Sequence, residues 1–141
     1  MKRKRIIPLG LSILALLIAA DIHANEASEK AAVTSAIAWL ALADGGKYPE
    51  TWDQAATYFK NALTKDRWVA SLKKGRTPLG KVLSRKVKSK MYTKSLPGVP
   101  DGEYVVILFD TQFENKESAV ETITPMLDKD GKWRVAGYLI H

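Results

Sequence analysis

The chain has 141 residues, with 22 lysines and arginines against 15 aspartates and glutamates, and it contains no cysteine. This length and an apolar fraction of 46% suit one globular domain of average composition. The lack of cysteine excludes disulfide frameworks, thiol nucleophiles and thiolate metal sites, and two histidines leave little for imidazole chemistry. We therefore expect neither a metal nor a cofactor.

The N-terminus carries the pattern of a secretory signal peptide. Four basic residues, Lys2 to Arg5, precede a run from Ile6 to Ala20 that is apolar or small apart from one serine. Spanning hydrocarbon takes roughly 20 apolar residues, so this run is short for a permanent anchor, which is the alternative interpretation. We predict cleavage after Ala24, with Ala20 and Ala27 as weaker positions.

The predicted mature chain, residues 25–141, has a net charge of +4 instead of +7, because the leader removes four basic groups and one acid. A domain of this size buries about two thirds of its unfolded surface, which is enough for a core without disulfides. A secreted chain without cysteine that follows a basic leader is typical of the bacterial periplasm. Nucleic acid is not an expected partner there.

Helical spacing of apolar residues dominates the first half of the mature chain. It predicts a first helix from Glu29 to Ala43 that is capped by Ser28. A second helix of about three turns is predicted to follow Pro49, and a third begins after Thr64 and ends at Gly75.

The second half alternates with a period of two, which is typical of strands. Short connections rich in Pro, Gly, Asn and Asp make the strands antiparallel neighbours. We predict the fold class α+β, with three N-terminal helices packed on a curved four-stranded antiparallel sheet. The strands are predicted at Lys81 to Lys94, Glu103 to Phe113, Ser118 to Asp128 and Lys132 to Ile140.

Both faces of the second predicted strand start apolar, with Val105 and Ile107 on one face and Tyr104, Val106 and Leu108 on the other. A sheet with one face in water should be more polar on that side. We therefore predict that part of this face is covered, and we favour a homodimer because two-fold dimers are the commonest oligomers.

Several segments of the sequence resemble those of a known family. They are Trp39–Tyr48, followed by Thr51 and Trp52, and then Arg76–Gly80, Gly102–Val106, Glu121–Thr122 and Trp133–Tyr138. Between Ala31 and Ile140 the chain resembles the bacterial domain of unknown function 4019 family, within the nuclear transport factor 2-like or cystatin-like superfamily. The resemblance implies a cone in which a curved sheet wraps the first helix, often with a pocket between them. It implies no activity.

The segment from Lys73 to Lys94 carries nine positive charges and no acid. One interpretation is structural, since lysines blunt an exposed sheet edge and cross-strand acids neutralise them. The other is an anion-binding stripe for an anionic envelope surface, and salt should then release the ligand. The candidate anion-binding residues are Lys86, Lys88, Lys90, Lys94 and Arg76.

Aromatic residues supply the candidate ligand pocket, although most of them should pack in the core. Trp52 and Tyr48 lie near a predicted loop and are the preferred pocket residues, with Tyr104 and Tyr138 behind them. Arg76, which precedes a Thr-Pro-Leu-Gly turn, fits either an acidic ligand or hydrogen bonds to carbonyls of the linker.

Asp110 is the single catalytic candidate, because it lies on a half-apolar strand face and burial would raise the pKa of its carboxyl. Without a visible partner for Asp110, the sequence favours a non-enzymatic periplasmic domain that binds a small ligand or a protein. The alternatives are a small-molecule enzyme that uses Asp110 and an envelope protein that binds anionic surfaces.

Overall fold

The computed structural model describes the backbone of residues 9–141 and the side chains of residues 21–141. The basic run that opens the predicted leader lies outside these residues. Four α-helices precede four β-strands. The elements are α1 (Leu9–Asp44), α2 (Tyr48–Asp53), α3 (Thr57–Ala62), α4 (Lys65–Arg76), a 3₁₀ turn (Thr77–Leu79), β1 (Val82–Thr93), β2 (Tyr104–Phe113), β3 (Lys116–Leu127) and β4 (Trp133–Ile140).

Helix α1 begins far upstream of its predicted start. Ser28 lies inside the helix and does not cap it, because no Pro or Gly interrupts the chain between residues 11 and 44. The end at Asp44 agrees with the prediction, and Gly46 adopts the left-handed φ of 71° that follows a helix C-terminus. Within the described residues, no helix is both long and apolar enough to cross a bilayer.

The prediction of one second helix is wrong, because the chain forms two short helices there. Pro49 occupies the first turn of α2 as predicted, but α2 ends at Asp53 and α3 starts only at Thr57. Between them Ala56 is buried and extended, and its N–H donates to the carbonyl of Val135 in β4 at 2.8 Å. A backbone bond to the sheet therefore replaces a helical one.

Thr64 caps α4 as predicted, since its hydroxyl accepts from the N–H of Arg67. The helix continues one residue past the predicted stop, Gly75, to Arg76. Arg76 consequently lies on the last turn of α4, where its side chain is buried under the sheet.

The sheet is an antiparallel meander in the order β1-β2-β3-β4, as predicted. Each strand boundary lies within two residues of its prediction. Helix α1 packs on one face, where Trp39 and Leu40 join Ile107 of β2, Ile123 of β3 and Val135 of β4 in the core. We call this face the inner face and the opposite one the outer face.

The outer face carries no comparable core, and several apolar side chains on it are exposed. One row of paired positions crosses all four strands and consists of Ser89, Leu108, Thr122 and Leu139. Leu139, at the end of this row, is 61% exposed. Met91 of β1, which pairs with Val106 of β2 beside this row, is 56% exposed.

Candidate functional site

A carboxylate lies at the centre of the inner face. The alternation of β3 points Glu121 inward between Ala119 and Ile123, and its side chain is completely buried. Arg85 of β1 donates from Nε to Oε1 at 2.7 Å and from Nη2 to Oε2 at 3.3 Å. The hydroxyl of Thr111 donates to Oε1 at 2.5 Å. Glu121 therefore has the partners that a buried charge requires.

Tyr138 and Arg76 close this network from the side of α4. The Tyr138 hydroxyl donates to Oε2 of Glu121, and Arg76 Nη1 donates to the same hydroxyl oxygen at 3.2 Å. Arg76 also lies over the ring of Phe113, with 5.2 Å between the guanidinium carbon and the ring centroid. The β4 strand and the last turn of α4 are thereby joined through Glu121.

Asp44, at the end of α1, links the two arginines. Its Oδ1 accepts from Arg76 Nη2 at 2.7 Å, and its Oδ2 accepts from Arg85 Nη1 at the same distance. Two guanidinium groups thus face two carboxylates, and their formal charges balance. We call these residues the Glu121 cluster: Asp44, Arg76, Arg85, Thr111, Glu121 and Tyr138.

The protonation states in the cluster are fixed by its geometry. Burial, together with the charge of Glu121, raises the pKa of the Tyr138 hydroxyl, which stays protonated and acts as a donor. Burial alone would raise the pKa of Asp44, but hydrogen bonds from Arg85 and Arg76 and their charges lower it. Tyr138 therefore serves as a donor to Glu121, and Asp44 serves as an acceptor for both arginines.

Arg76 and Tyr138 also line a groove between α4 and β4 with a volume of about 340 Å³. This volume lies at the lower end of the range for small-molecule sites. Its other walls are mostly apolar, with Lys116 among them. We call this site the α4–β4 groove, and its apolar lining residues include Trp68, Leu72, Leu79 and Ile140.

Arg76, which lines the groove, has one buried polar atom without a partner among the described residues. Arg76 is only 4% exposed, and its Nε makes no hydrogen bond within the described part of the chain. An unpaired buried donor costs about 1–3 kcal/mol. An acceptor brought by a ligand would remove this cost once a small shift of the Arg76 side chain exposed Nε to the groove.

The four predicted pocket residues lie in different surroundings. Tyr138 belongs to the Glu121 cluster and the α4–β4 groove. Tyr104 is buried, and its hydroxyl donates to the carbonyl of Pro100 at 2.5 Å. Tyr48 and Trp52 lie on α2 against the core, and the Trp52 indole donates to the carbonyl of Leu63. Only Tyr138 thus lines the α4–β4 groove.

The predicted lysine stripe does not share one face, because a β-bulge between Val87 and Ser89 reverses the alternation of β1. Lys86 pairs with Asp110 on the outer face, whereas Lys90 pairs with Ile107 on the inner face. All four lysines, Lys86, Lys88, Lys90 and Lys94, are exposed on or just after this edge strand. Arg76, predicted to act with them, is buried in the Glu121 cluster.

Asp110, the catalytic candidate, lies on the outer face between Lys86 of β1 and Val120 of β3. Its side chain is 45% exposed, and Oδ1 lies 3.9 Å from Nζ of Lys88. The burial on which this candidate depended is therefore not present. Among the described residues, no group of three His, Cys, Asp or Glu side chains is arranged to hold a metal.

Sequence reasoning missed Glu121, Arg85, Asp44 and Thr111 as parts of one site. A signal for Glu121 exists, since it interrupts the apolar alternation of Ala119 and Ile123 at an inward position. In the sequence, Asp44 precedes Gly45 and Gly46, a pattern that indicates only a turn after α1. Its role depends on the approach of α1, β1 and α4, which no local pattern shows.

The comparisons with known proteins place the chain in a family. The family described as a protein of unknown function, DUF4019, matches residues 35–138. No curated protein and no solved structure matches the chain. The match begins in α1, ends in β4 and includes every residue of the Glu121 cluster. Because it covers most of the sequence, the chain belongs to the DUF4019 family.

Proposed function

We propose that this protein is a non-enzymatic binding domain of the bacterial periplasm, and that it holds a small ligand in the α4–β4 groove. The observation that carries the proposal is Arg76, a residue of the groove lining whose buried Nε lacks a partner within the described part of the chain. Sites for small molecules combine apolar walls with a few placed polar groups. The α4–β4 groove has this composition.

The charge balance of the Glu121 cluster indicates the kind of ligand. Arg76 is already paired with Asp44 and lies near Glu121, so its own charge is compensated within the cluster. A neutral acceptor, such as a carbonyl or ether oxygen on an apolar body, satisfies Nε without a second anion. Lys116 in the groove wall can contact a polar group at the other end of such a ligand.

A substitution at Gly75 tests the groove without touching the cluster. Gly75 lines the groove, and a β-carbon added there would meet no atom within 4 Å. We expect Gly75→Leu to fill the groove and to abolish fluorescence enhancement of Nile red, a neutral apolar dye with a carbonyl group. Ala70→Leu, an exposed position on α4 outside the groove, is the matched control. Equal dye binding by Gly75→Leu and wild type would refute the assignment.

The periplasmic location is inferred from the pattern of the leader. The position in α1 at which the buried core begins also supports it. Residues 21–27 are exposed, and from residue 21 onward, where side chains are described, the first fully buried residue of α1 is Ala32. Cleavage after Ala24 would therefore leave the core intact. N-terminal sequencing of the protein from a periplasmic extract should start at Asn25. Recovery of the uncleaved chain in the membrane fraction would contradict this location.

The finer fold assignment and the homodimer belong to the same proposal. A helix that packs on one face of an antiparallel four-stranded meander supports a relation to the nuclear transport factor 2-like superfamily. The exposed apolar side chains Met91 and Leu139 on the outer face support pairing of two copies through their sheets.

A further inference from the structure

A second groove lies between α1, α2 and the start of β4, and its volume of about 520 Å³ exceeds that of the α4–β4 groove. Its lining is more polar than that of the α4–β4 groove, because charged and amide side chains lie around Trp133. We call it the Trp133 groove, and its polar lining includes Glu50, Asp53, Gln54, Lys132 and Arg134.

The Trp133 indole differs from the other three in the chain. The indole N–H of Trp39 donates to the carbonyl of Thr51, that of Trp68 to the hydroxyl of Thr51, and that of Trp52 to the carbonyl of Leu63. Within the described residues, the Trp133 N–H has no such acceptor, although the residue packs partly against the core. Trp133 therefore presents a fixed ring and a free donor.

The charged groups around the groove are largely compensated. Lys65 pairs with Asp53 at 2.8 Å, and Arg134 pairs with Asp130 at 2.7 Å and with Asp128 at 3.1 Å. Glu50 and Lys132 are exposed, carry opposite charges and form no ion pair within the described residues. The four charged side chains that line the groove thus sum to zero, and the groove offers both donors and acceptors.

We propose that the Trp133 groove binds a neutral saccharide. A sugar ring has hydroxyl groups that both donate and accept, and Glu50, Gln54 and Lys132 offer the complementary atoms. Its C–H face is apolar and suits an indole ring, whose N–H reaches a ring or hydroxyl oxygen. A purely apolar ligand would leave these polar groups desolvated and unpaired, which is costly. This site is independent of the α4–β4 groove.

Nuclear magnetic resonance of the ¹⁵N-labelled protein tests this proposal, because the four indole N–H groups give separate signals. Maltose and N,N′-diacetylchitobiose are the probes. We expect either sugar to shift the Trp133 indole signal, while the Trp52 and Trp68 signals stay in place and added salt leaves the affinity unchanged. No shift of the Trp133 signal with either sugar would overturn the proposal, as would a shift seen only with the zwitterion glycylglycine.

Two variants link the signal to the groove. Trp133→Phe keeps a smaller aromatic ring and removes the indole donor, and we expect about tenfold weaker sugar binding. Because this variant has no Trp133 signal, calorimetric titration measures its affinity and that of the wild type. Gln54→Ala changes an exposed side chain and should also weaken binding without affecting folding. Gln112→Ala, on the outer face of β2, is its matched control and should bind as wild type. Unchanged affinity in both groove variants would refute the assignment.

Discussion

Glu121 is a fully buried carboxylate. It accepts hydrogen bonds from Arg85 of β1, Thr111 of β2 and Tyr138 of β4, and Arg76 of α4 lies near it. Buried ion pairs add little net stability against an apolar replacement, but removal of one partner leaves an uncompensated charge. We therefore interpret the cluster as a network that fixes the positions of its side chains. Hydrogen bonds to Asp44 and Tyr138 position Arg76 in the lining of the α4–β4 groove.

Glu121→Gln tests this dependence with little change of shape. The amide cannot balance Arg85 and Arg76, so we expect the free energy of unfolding to fall by about 3 kcal/mol in urea denaturation. Glu117→Gln, an exposed position on the same strand, should stay within about 0.5 kcal/mol of wild type. Equal losses in the two variants would contradict the network.

Asp44 gives the cluster a pH dependence. Its pKa is lower in the folded state than its ordinary value of 3.8, so its contribution to stability is complete above pH 3.8 and is lost as the pH falls through the folded-state pKa. Asp44→Asn lacks this contribution. The wild-type Tm should therefore fall more steeply below pH 3.8 than the Tm of Asp44→Asn. If the Tm of both proteins fell equally with pH, protonation of Asp44 would not be linked to unfolding.

At the scale of elements, local patterns predicted the strands well and the helix breaks poorly. Alternation and the Asp130-Gly131 turn mark β4 in the sequence, because side-chain period and turn chemistry are local. The break between α2 and α3 depends on the bond from Ala56 to Val135, and the cluster depends on strand register. Both depend on contacts between segments that are distant in the sequence. The sequence analysis therefore named Arg76 and Tyr138 as separate candidates and did not predict that they lie in one site.

The linker between α4 and β1 offers a prediction at this scale. Gly80 has a φ of 73° and a ψ of −157°, a region open to glycine alone, and an added β-carbon would lie 3.0 Å from Cβ of Glu114. We expect Gly80→Ala to destabilise the protein by about 1–3 kcal/mol. Gly75→Ala, inside α4 with open space around it, should be neutral or stabilising by up to about 1 kcal/mol. Thermal unfolding compares the two, and the reverse order would contradict this account.

At the scale of the whole molecule, the helices cover one face of the sheet and leave Met91 and Leu139 on the other. We predict that the wild type elutes as a dimer in size-exclusion chromatography with multi-angle light scattering, and that Met91→Lys with Leu139→Lys gives a folded monomer. Both positions are more than half exposed, so lysine is accommodated in the monomer. A monomeric wild type would exclude pairing through this face.

The central claim is that the α4–β4 groove holds a small ligand against Arg76. Native mass spectrometry of the mature protein, purified from periplasm at modest salt, tests it most directly. The account predicts that wild type and Ala70→Leu retain a bound mass that is missing from Gly75→Leu. A wild-type protein without bound mass, or the same mass retained by Gly75→Leu, would contradict it.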